Sequence, residues 1–599
     1  MTFTPKFKTL VEIYRHSTKA YADRPLFGVK QGDTWQWLTY GEFGDRVEAM
    51  RAALALLGID KGDRVAIIAN NRVEWAVAAY ATYGRAAAFV PMYEAQHDSD
   101  WIHILRDCGA KVVFTADETI RDRIKGIRTE LPELAHIVVI DGTGDAGSVS
   151  YEELIERGRG KTSPIVEPDA EDVAGYIYTS GTTGLPKGVL LRHRNFAYNV
   201  SAIHAIFPLS PDDRSLSFLP WAHSFGQVIE LHTLLSMGSS MAIAESVPQI
   251  IPNLAEVHPT MLIAVPRIFN RIYDGLHKKM AQESPFRRRL FAAAVSTAAE
   301  RKALAARGES SGWLDLKFKI LDKLVGAKVR ARFGGRLKYA ISGGAAISKA
   351  VADFIDDLGI QVYEGYGLTE TSPMATANAP GHRKIGSVGR AVPGTRIEID
   401  ISATDDPTQG EIIVHGHNVM MGYNALPDED AKVFTADGGL RTGDMGRLDE
   451  DGYLYITGRI KEQYKLENGK YVVPSPLEEL LKLSPFIINV MIFGANRPFN
   501  VGLIVPDREA LEAWAKGQGL QTEDYAALLA APRVHALIEA ELAERSEDFR
   551  SFERIKKFRL LAEDFTLENE MLTPSMKLKR RVVIKAYGDD LAELYEGSK

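Results

Sequence analysis

The sequence predicts an α/β protein: a large N-terminal domain of layered α/β units ending in a small β-rich subdomain, then a small α+β C-terminal domain. Three observations predict it. A chain of 599 residues, 45% apolar and 25% charged, is ordinary in composition but too long for one hydrophobic core, so it divides into two or more globular domains. Short β-branched runs alternate with helix-like stretches between Asp63 and Ile140, and again between Met261 and Tyr363. The texture then changes after Arg459, where a polar segment from Lys461 to Lys470 opens a new pattern.

Taken in order, Arg64–Ile68, Ala88–Val90, Lys111–Phe114 and His136–Ile140 read as strands, with a helix over Glu74–Tyr83. That rhythm implies layers built on largely parallel strands. It recurs from Met261 to Tyr363, interrupted by a long helical and basic stretch from Arg267 to Leu337. From Ile385 to Tyr455, Gly, Pro and Asp punctuate short strands, which sets a β-rich subdomain at about residues 385–459. The expected divisions are an N-terminal domain 1–459, a hinge at 460–461 and a C-terminal domain 462–599. In the last, Val490–Phe493 and Val501–Val505 are strand candidates, accompanied by two helices.

Composition narrows the function. Cys108 is the single cysteine, which rules out an intramolecular disulfide and a thiolate metal cluster. A formal net charge of −7 argues against a general nucleic-acid binder. The N-terminus lacks the apolar core of a secretory signal, and no uncharged apolar run reaches the roughly 18 residues of a membrane span. The expected location is cytoplasmic, with peripheral contact at the inner face of a membrane left open.

The most informative stretch is Tyr178-Thr-Ser-Gly-Thr-Thr-Gly-Leu-Pro-Lys187-Gly188, which follows the strand-like Val173–Ile177. Gly181 and Gly184 allow close backbone approach to a phosphate, Thr179, Ser180, Thr182 and Thr183 offer hydroxyl donors, and Lys187 offers a point charge. A Walker A loop needs Gly before its lysine and Ser or Thr after it; Pro186 and Gly188 stand there instead. An ordinary turn needs no lysine at a set distance.

Here the sequence resembles the ANL family of adenylate-forming enzymes, which includes acyl-CoA synthetases, luciferases and the adenylation domains of peptide synthetases. The resemblance implies the ANL fold, with a mobile C-terminal domain, and a loop that wraps the β- and γ-phosphates of ATP. Further motifs follow in the family's order. Ser342-Gly343-Gly344-Ala345 and Tyr363-Glu364-Gly365-Tyr366-Gly367-Leu-Thr369-Glu370 resemble its adenine-site segments, with Tyr366 expected beside the adenine and Thr369 near the α-phosphate. Glu370 is a hard oxygen ligand suited to Mg²⁺, with Thr182 as a second ligand, although a Glu after Thr read alone is a helix-start residue. Leu440-Arg-Thr-Gly-Asp444 and Tyr455-Ile-Thr-Gly-Arg459 resemble the ribose-binding pair. Thr573-Pro-Ser-Met-Lys577 resembles the segment carrying the catalytic lysine, with Ser575-Met576 where many bacterial relatives have Ser-Gly. Lys461 matches the hinge position, where many relatives have Asp, and Gly469 matches the loop that enters the site for thioester formation.

The implied reaction is attack of a fatty carboxylate on ATP to give acyl-AMP and pyrophosphate, then thioester formation with coenzyme A after Lys577 withdraws. Ser217-Phe-Leu-Pro-Trp221-Ala-His223-Ser-Phe225 resembles the segment beside the acyl group, with His223 at the carboxylate end. Trp221, Phe225 and Val228 are acyl-pocket candidates, and Val228, Ile229 and Leu231 read equally as helix core. Long-chain specificity rests on resemblance to long-chain fatty acid ligases at Val265–Phe269, Tyr464–Pro474 and Leu572–Pro574. Lys278-Lys279 and Arg287–Arg289 could meet anionic lipid or be a solvated face. The competing readings are a fatty acyl-AMP ligase serving a carrier protein and a non-catalytic lipid-binding protein, which would have lost Lys577, Glu370 or the phosphate loop.

Overall fold

The computed structural model describes residues 3–180, 185–404, 406–573 and 577–596, without the side chain of Ser180. Gly181, Thr182, Thr183 and Gly184 of the phosphate loop, and Pro574, Ser575 and Met576 before Lys577, therefore lie outside the described residues.

Arg64–Ile68, Ala88–Met92, Val112–Asp117 and His136–Asp141 are parallel neighbours at the heart of one sheet, as their β-branched runs predict. Helices cover them; Val73–Tyr83 buries every residue but Glu74. Strands shielded on both faces read as continuous apolar runs instead of alternating ones. The sheet continues through Val173–Ser180, parallel to Ala88–Met92 and antiparallel to Pro186–Arg192, with Thr179 opposite Lys187. The phosphate loop thus joins two paired strands, unlike a strand-to-helix Walker A loop.

A second large sheet has a parallel centre, Val362–Gly367, Tyr339–Ser342, Met261–Ala264, Arg214–Ser217, Ser240–Ile243 and Pro25–Gln31, with antiparallel rims. Strands Tyr339–Ser342 and Val362–Gly367 deliver the Gly343 and Thr369 segments at their carboxyl ends, the edge where parallel sheets place ligands. Between Met261–Ala264 and Tyr339–Ser342 the chain makes helices Pro266–Gln282, Pro285–Ala306, Gly312–Leu321 and Ala327–Ala331, the helical interruption read from Arg267 onward. Arg396–Asp400, Gly410–His415, Leu440–Leu448 and Leu454–Arg459 form an antiparallel four-stranded sheet.

After Arg459 the chain builds a three-stranded sheet of Ile487–Phe493, Asn500–Pro506 and Ile555–Leu560. The two helices expected here are too few. Helices occur at Pro474–Leu481, Arg508–Gly517, Tyr525–Leu529, Pro532–Arg545, Arg580–Ala586 and Gly588–Glu593, several too short to show a helical period in the sequence. Strand Ile555–Leu560 also escaped notice, because Lys556, Lys557 and Arg559 interrupt its apolar residues; it pairs on one side only, where charge is tolerated. This unit meets the helical insertion, with Lys278 Nζ 3.6 Å from Asp507. Lys278 therefore has an ion-pair partner within the molecule, and about half of its side chain stays exposed, at 49%.

Candidate active site

Strand Val362–Gly367 lies so close to Met374–Ala377 that a Cβ on Gly367 would stand 1.7 Å from the Pro373 carbonyl oxygen. Glycine there permits the register shift that directs Tyr366 across to the small sheet. The Tyr366 hydroxyl donates to Asp444 Oδ2 at 2.8 Å, and Arg459 Nε donates to Asp444 Oδ1 at 2.6 Å. Register explains the second bond, since Asp444 and Arg459 are opposite one another in adjacent strands. Asp444 is 3% exposed. Its charge, the largest influence on Arg459, raises the guanidinium pKa, while burial first and Asp444 second raise the Tyr366 phenol. Each carboxylate oxygen keeps a further lone pair, so Asp444 can still accept from two vicinal hydroxyls.

Lys577 reaches this cluster from the C-terminal unit. Crowding by the cleft walls, then the Arg459 guanidinium, lowers its ammonium pKa; Asp444, Glu370 and Glu462 pull the other way. The side chain remains exposed, so this is the environment of an open cleft and not of a sealed core. A hairpin holds its backbone, with Lys577 N–H donating to Thr573 Oγ1 and Thr573 N–H to the Lys577 carbonyl. Lys577 also acts on His223, whose pKa is pushed down to about 4 by burial first and this neighbouring cation second. His223 is thus neutral at pH 7. Its Nδ1 accepts from the Phe225 N–H at 3.2 Å, which leaves the proton on Nε2 as a donor.

Toward the phosphate loop, Lys187 pairs with Glu429 and lies 5.2 Å from the Tyr423 ring centre. The Tyr423 hydroxyl donates to Glu370 Oε1 at 2.9 Å. Hydrogen bonds from Lys187 and then Lys432 hold the Glu429 carboxyl down at about 2. Among the described residues no three His, Cys, Asp or Glu side chains gather as a metal cage. Glu370, joined through Tyr423 to the side of the site where Lys187 lies, is a hard oxygen ligand that fits Mg²⁺, which takes few protein ligands and completes its shell with other oxygens and water.

Near the Phe225 helix, Thr369 is buried, with its hydroxyl 3.4 Å from that of Ser224. Phe225 lies against Gly343, where a Cβ would meet its ring at 2.9 Å. Phe225–His232 is a π-helix, whose wider turn was invisible in the sequence. Val228, Ile229 and Leu231 are buried in it. Trp221 is fully buried, with ring centres 5.7 Å from Phe27 and 5.6 Å from Trp75, so it is packed as core. Glu230 on the same π-helix is buried, accepts from Ser215 and Ser217 at 2.8 and 2.6 Å, and is pushed up to about 7 chiefly by burial.

Not every sequence candidate joins the cluster. The Tyr455 hydroxyl donates to Asp449 at 3.2 Å, and Tyr455 pairs with Arg447, well along the strand from the Asp444–Arg459 pair. The Glu364 carboxyl is buried, accepts from the Ile347 N–H at 3.1 Å and is pushed up to about 7 by burial. Gly365 is paired within the sheet; Gly344 takes φ +83° and, like Ala345, is exposed. Lys461 is exposed directly after strand Leu454–Arg459. Gly469 is exposed between strands Tyr464–Lys465 and Tyr471–Val472, and a Cβ there would meet nothing but the end of Lys465 within 4 Å. Glu429, Tyr423 and Glu462 were missed. Glu429 sits in Pro-Asp-Glu-Asp, which reads as the acidic first turn of a helix and indeed opens Pro427–Val433.

The profile of the AMP-binding enzyme family matches residues 14–424, and that of the AMP-binding enzyme C-terminal domain matches residues 461–599. The chain is 34% identical over 575 residues to the long-chain-fatty-acid–CoA ligase FadD15 of Mycobacterium bovis, covering 94% of this chain and 92% of that one. It is 30% identical over 622 residues to the peroxisomal long chain acyl-CoA synthetase 7 of Arabidopsis thaliana, covering 99% and 87%. The adenylation domain of a carboxylate reductase from Mycobacterium chelonae superposes with a TM-score of 0.80 at 23% identity, over 99% of this chain and 92% of that chain. A fatty acyl CoA synthetase of Mycobacterium tuberculosis superposes with a TM-score of 0.62 at 22% identity, over 98% and 100%. At such identities the solved structures speak to the fold, whereas the profile match and the near full-length relatives speak to kinship. The chain belongs to the AMP-binding enzyme family of the adenylate-forming ANL superfamily.

Proposed function

We propose that this protein joins a long-chain fatty acid to coenzyme A at the expense of ATP, through an acyl-AMP intermediate. The carrying observation is the hydrogen-bonded set of Tyr366, Asp444 and Arg459, close enough to Lys577 of the C-terminal unit for Arg459, Asp444 and Glu370 to act on its ammonium. In the first step a carboxylate oxygen of the fatty acid bonds to the α-phosphorus and the bond to pyrophosphate breaks. Lys577 and Thr369 stabilise charge on the α-phosphate, and the Nε2–H of neutral His223 orients the incoming carboxylate. Tyr366 flanks the adenine and Asp444 with Arg459 takes the ribose. Glu370 and Thr182 would hold Mg²⁺, which would neutralise charge on the phosphates. In the second step the thiol sulfur of coenzyme A bonds to the acyl carbon as the bond from that carbon to the phosphate oxygen breaks; AMP leaves and the thiol proton passes to solvent.

The same reading divides the chain into an adenylating domain 1–459 and a tail domain 462–599 that turns about 460–461, with Lys461 as pivot. Turning withdraws Lys577 and brings the Gly469 loop to the acyl-AMP, a role its exposed, sterically open position suits. The relatives named long-chain fatty acid ligases support the chain length and the acceptor. A panel of acids from acetate to long-chain fatty acids, with and without coenzyme A, scored for pyrophosphate and thioester, tests the proposal. Pyrophosphate release with long-chain acids and thioester only with coenzyme A is the expected result; acyl-AMP that accumulates despite coenzyme A refutes it in favour of a carrier-protein acceptor.

A further inference from the structure

The helical insertion carries an apolar stripe that faces water. From Gly312 to Ala331 the chain is helical throughout, by way of helix Gly312–Leu321, the π-turn Asp322–Gly326 and helix Ala327–Ala331. Leu314, Leu321 and Val329 supply its buried side. Another side presents Trp313, Leu316, Ile320 and Leu324, spaced by three or four residues and 69%, 58%, 55% and 44% exposed. A single exposed leucine needs no explanation, whereas four large apolar side chains on one helical face do.

Charge narrows what covers this stripe. At 3.6 residues per turn Lys317 lies to one side of it and Lys319 and Lys323 to the other. The span 266–331 holds fifteen lysines and arginines against six aspartates and glutamates, in a chain whose net charge is −7. A second copy docked symmetrically on the stripe would set these lysines against their own equivalents. An anionic lipid surface instead receives the apolar side chains at the acyl boundary and the lysines at the phosphates, with tryptophan at the depth it favours.

We infer that helix Gly312–Leu321, with Leu324 after it, is a docking surface for an anionic lipid bilayer. It lies in the plane of the interface, and among the described residues no helix is long and apolar enough to cross a membrane. This surface is separate from the adenylation chemistry, and differs from the Lys278–Lys279 pair, whose first member turns to Asp507.

The test is co-sedimentation of the full chain with phosphatidylcholine vesicles made with and without phosphatidylglycerol. We expect binding to the anionic vesicles only, released by salt, and weakened at least about tenfold in Trp313→Ser/Leu316→Ser/Ile320→Ser. Each of Lys317→Gln, Lys319→Gln and Lys323→Gln should weaken it about fivefold. A melting temperature within a few degrees of the native chain's should survive in all variants; this shows they are folded and, since it needs no acid, keeps failure here distinct from failure of the proposed activation, on which the inference does not depend. Equal sedimentation of the native chain and the serine variant overturns the inference, as does absence of native binding. A native dimer that the serine variant dissociates also overturns it, assigning the stripe to a second copy.

Discussion

Replacing Lys577 by alanine should separate the two half-reactions. The ammonium sits among Arg459, Asp444, Glu370 and Glu462 in a cleft that remains open to water, so its effect on a phosphoryl oxygen is that of a partly screened charge. Two unit charges 4 Å apart at an effective dielectric of about 20 interact by about 4 kcal/mol. Arg459 supplies a second positive charge nearby and limits the loss, which brings the expected penalty to about 10²–10³ in the rate of acyl-AMP formation, the range for removing one pre-organised donor. Thioester formation from supplied acyl-AMP should change by less than about threefold, because the proposed turn of the tail domain withdraws Lys577 before that step. The assay is exchange of labelled pyrophosphate into ATP, run beside thioester release from synthetic acyl-AMP. The native enzyme adds a pH signature. The charged ammonium is the working form and its pKa lies below the ordinary lysine value of 10.5, so exchange should fall as pH rises through that lowered value, while the thioester step should not follow it. Equal losses in both half-reactions, or intact exchange in the alanine variant, would refute the role given to Lys577.

Other variants probe the surrounding contacts. Asp444→Asn leaves Arg459 without its carboxylate and should weaken binding of a non-hydrolysable ATP analogue by about 1–3 kcal/mol, read by calorimetric titration. Glu429→Gln removes the carboxylate that pairs with Lys187; on the proposed role of Lys187 this frees it for ATP phosphates, so ATP should bind more tightly, and unchanged or weaker binding would show that the pair does not compete. Glu230, at about 7 against 4.5 for a free glutamate, keeps in the folded chain a proton that the unfolded chain gives up; it therefore costs stability as pH rises between those values. Glu230→Gln should accordingly gain up to about 3 kcal/mol over native at pH 8 and little at pH 4, seen as a melting-temperature difference that grows with pH. Gly367→Ala forces a methyl against the Pro373 carbonyl, and should lower both thermal stability and ATP affinity, with Gly365→Ala milder because its nearest backbone atom is 3.3 Å away.

The sequence alone determined the α/β class, the central strands and the long helical insertion, since each rests on a local period that burial on one or both faces imposes. It also nominated Tyr366, Asp444, Arg459 and Lys577, because their neighbours follow family motifs. The tertiary structure decided which of the candidates meet. Asp444 faces Arg459 through strand register, and Lys577 arrives from the C-terminal unit, contacts between residues far apart in the chain that no local pattern encodes. Tyr455 and Glu364 carry motif positions as fitting as their neighbours', yet the pleat and turn geometry send one to Asp449 and the other to the Ile347 amide. Trp221 is fixed by packing between Phe27 and Trp75, from two other parts of the chain. Side-chain direction depends on what lies opposite, and that is a property of the assembled layers and not of the order of residues.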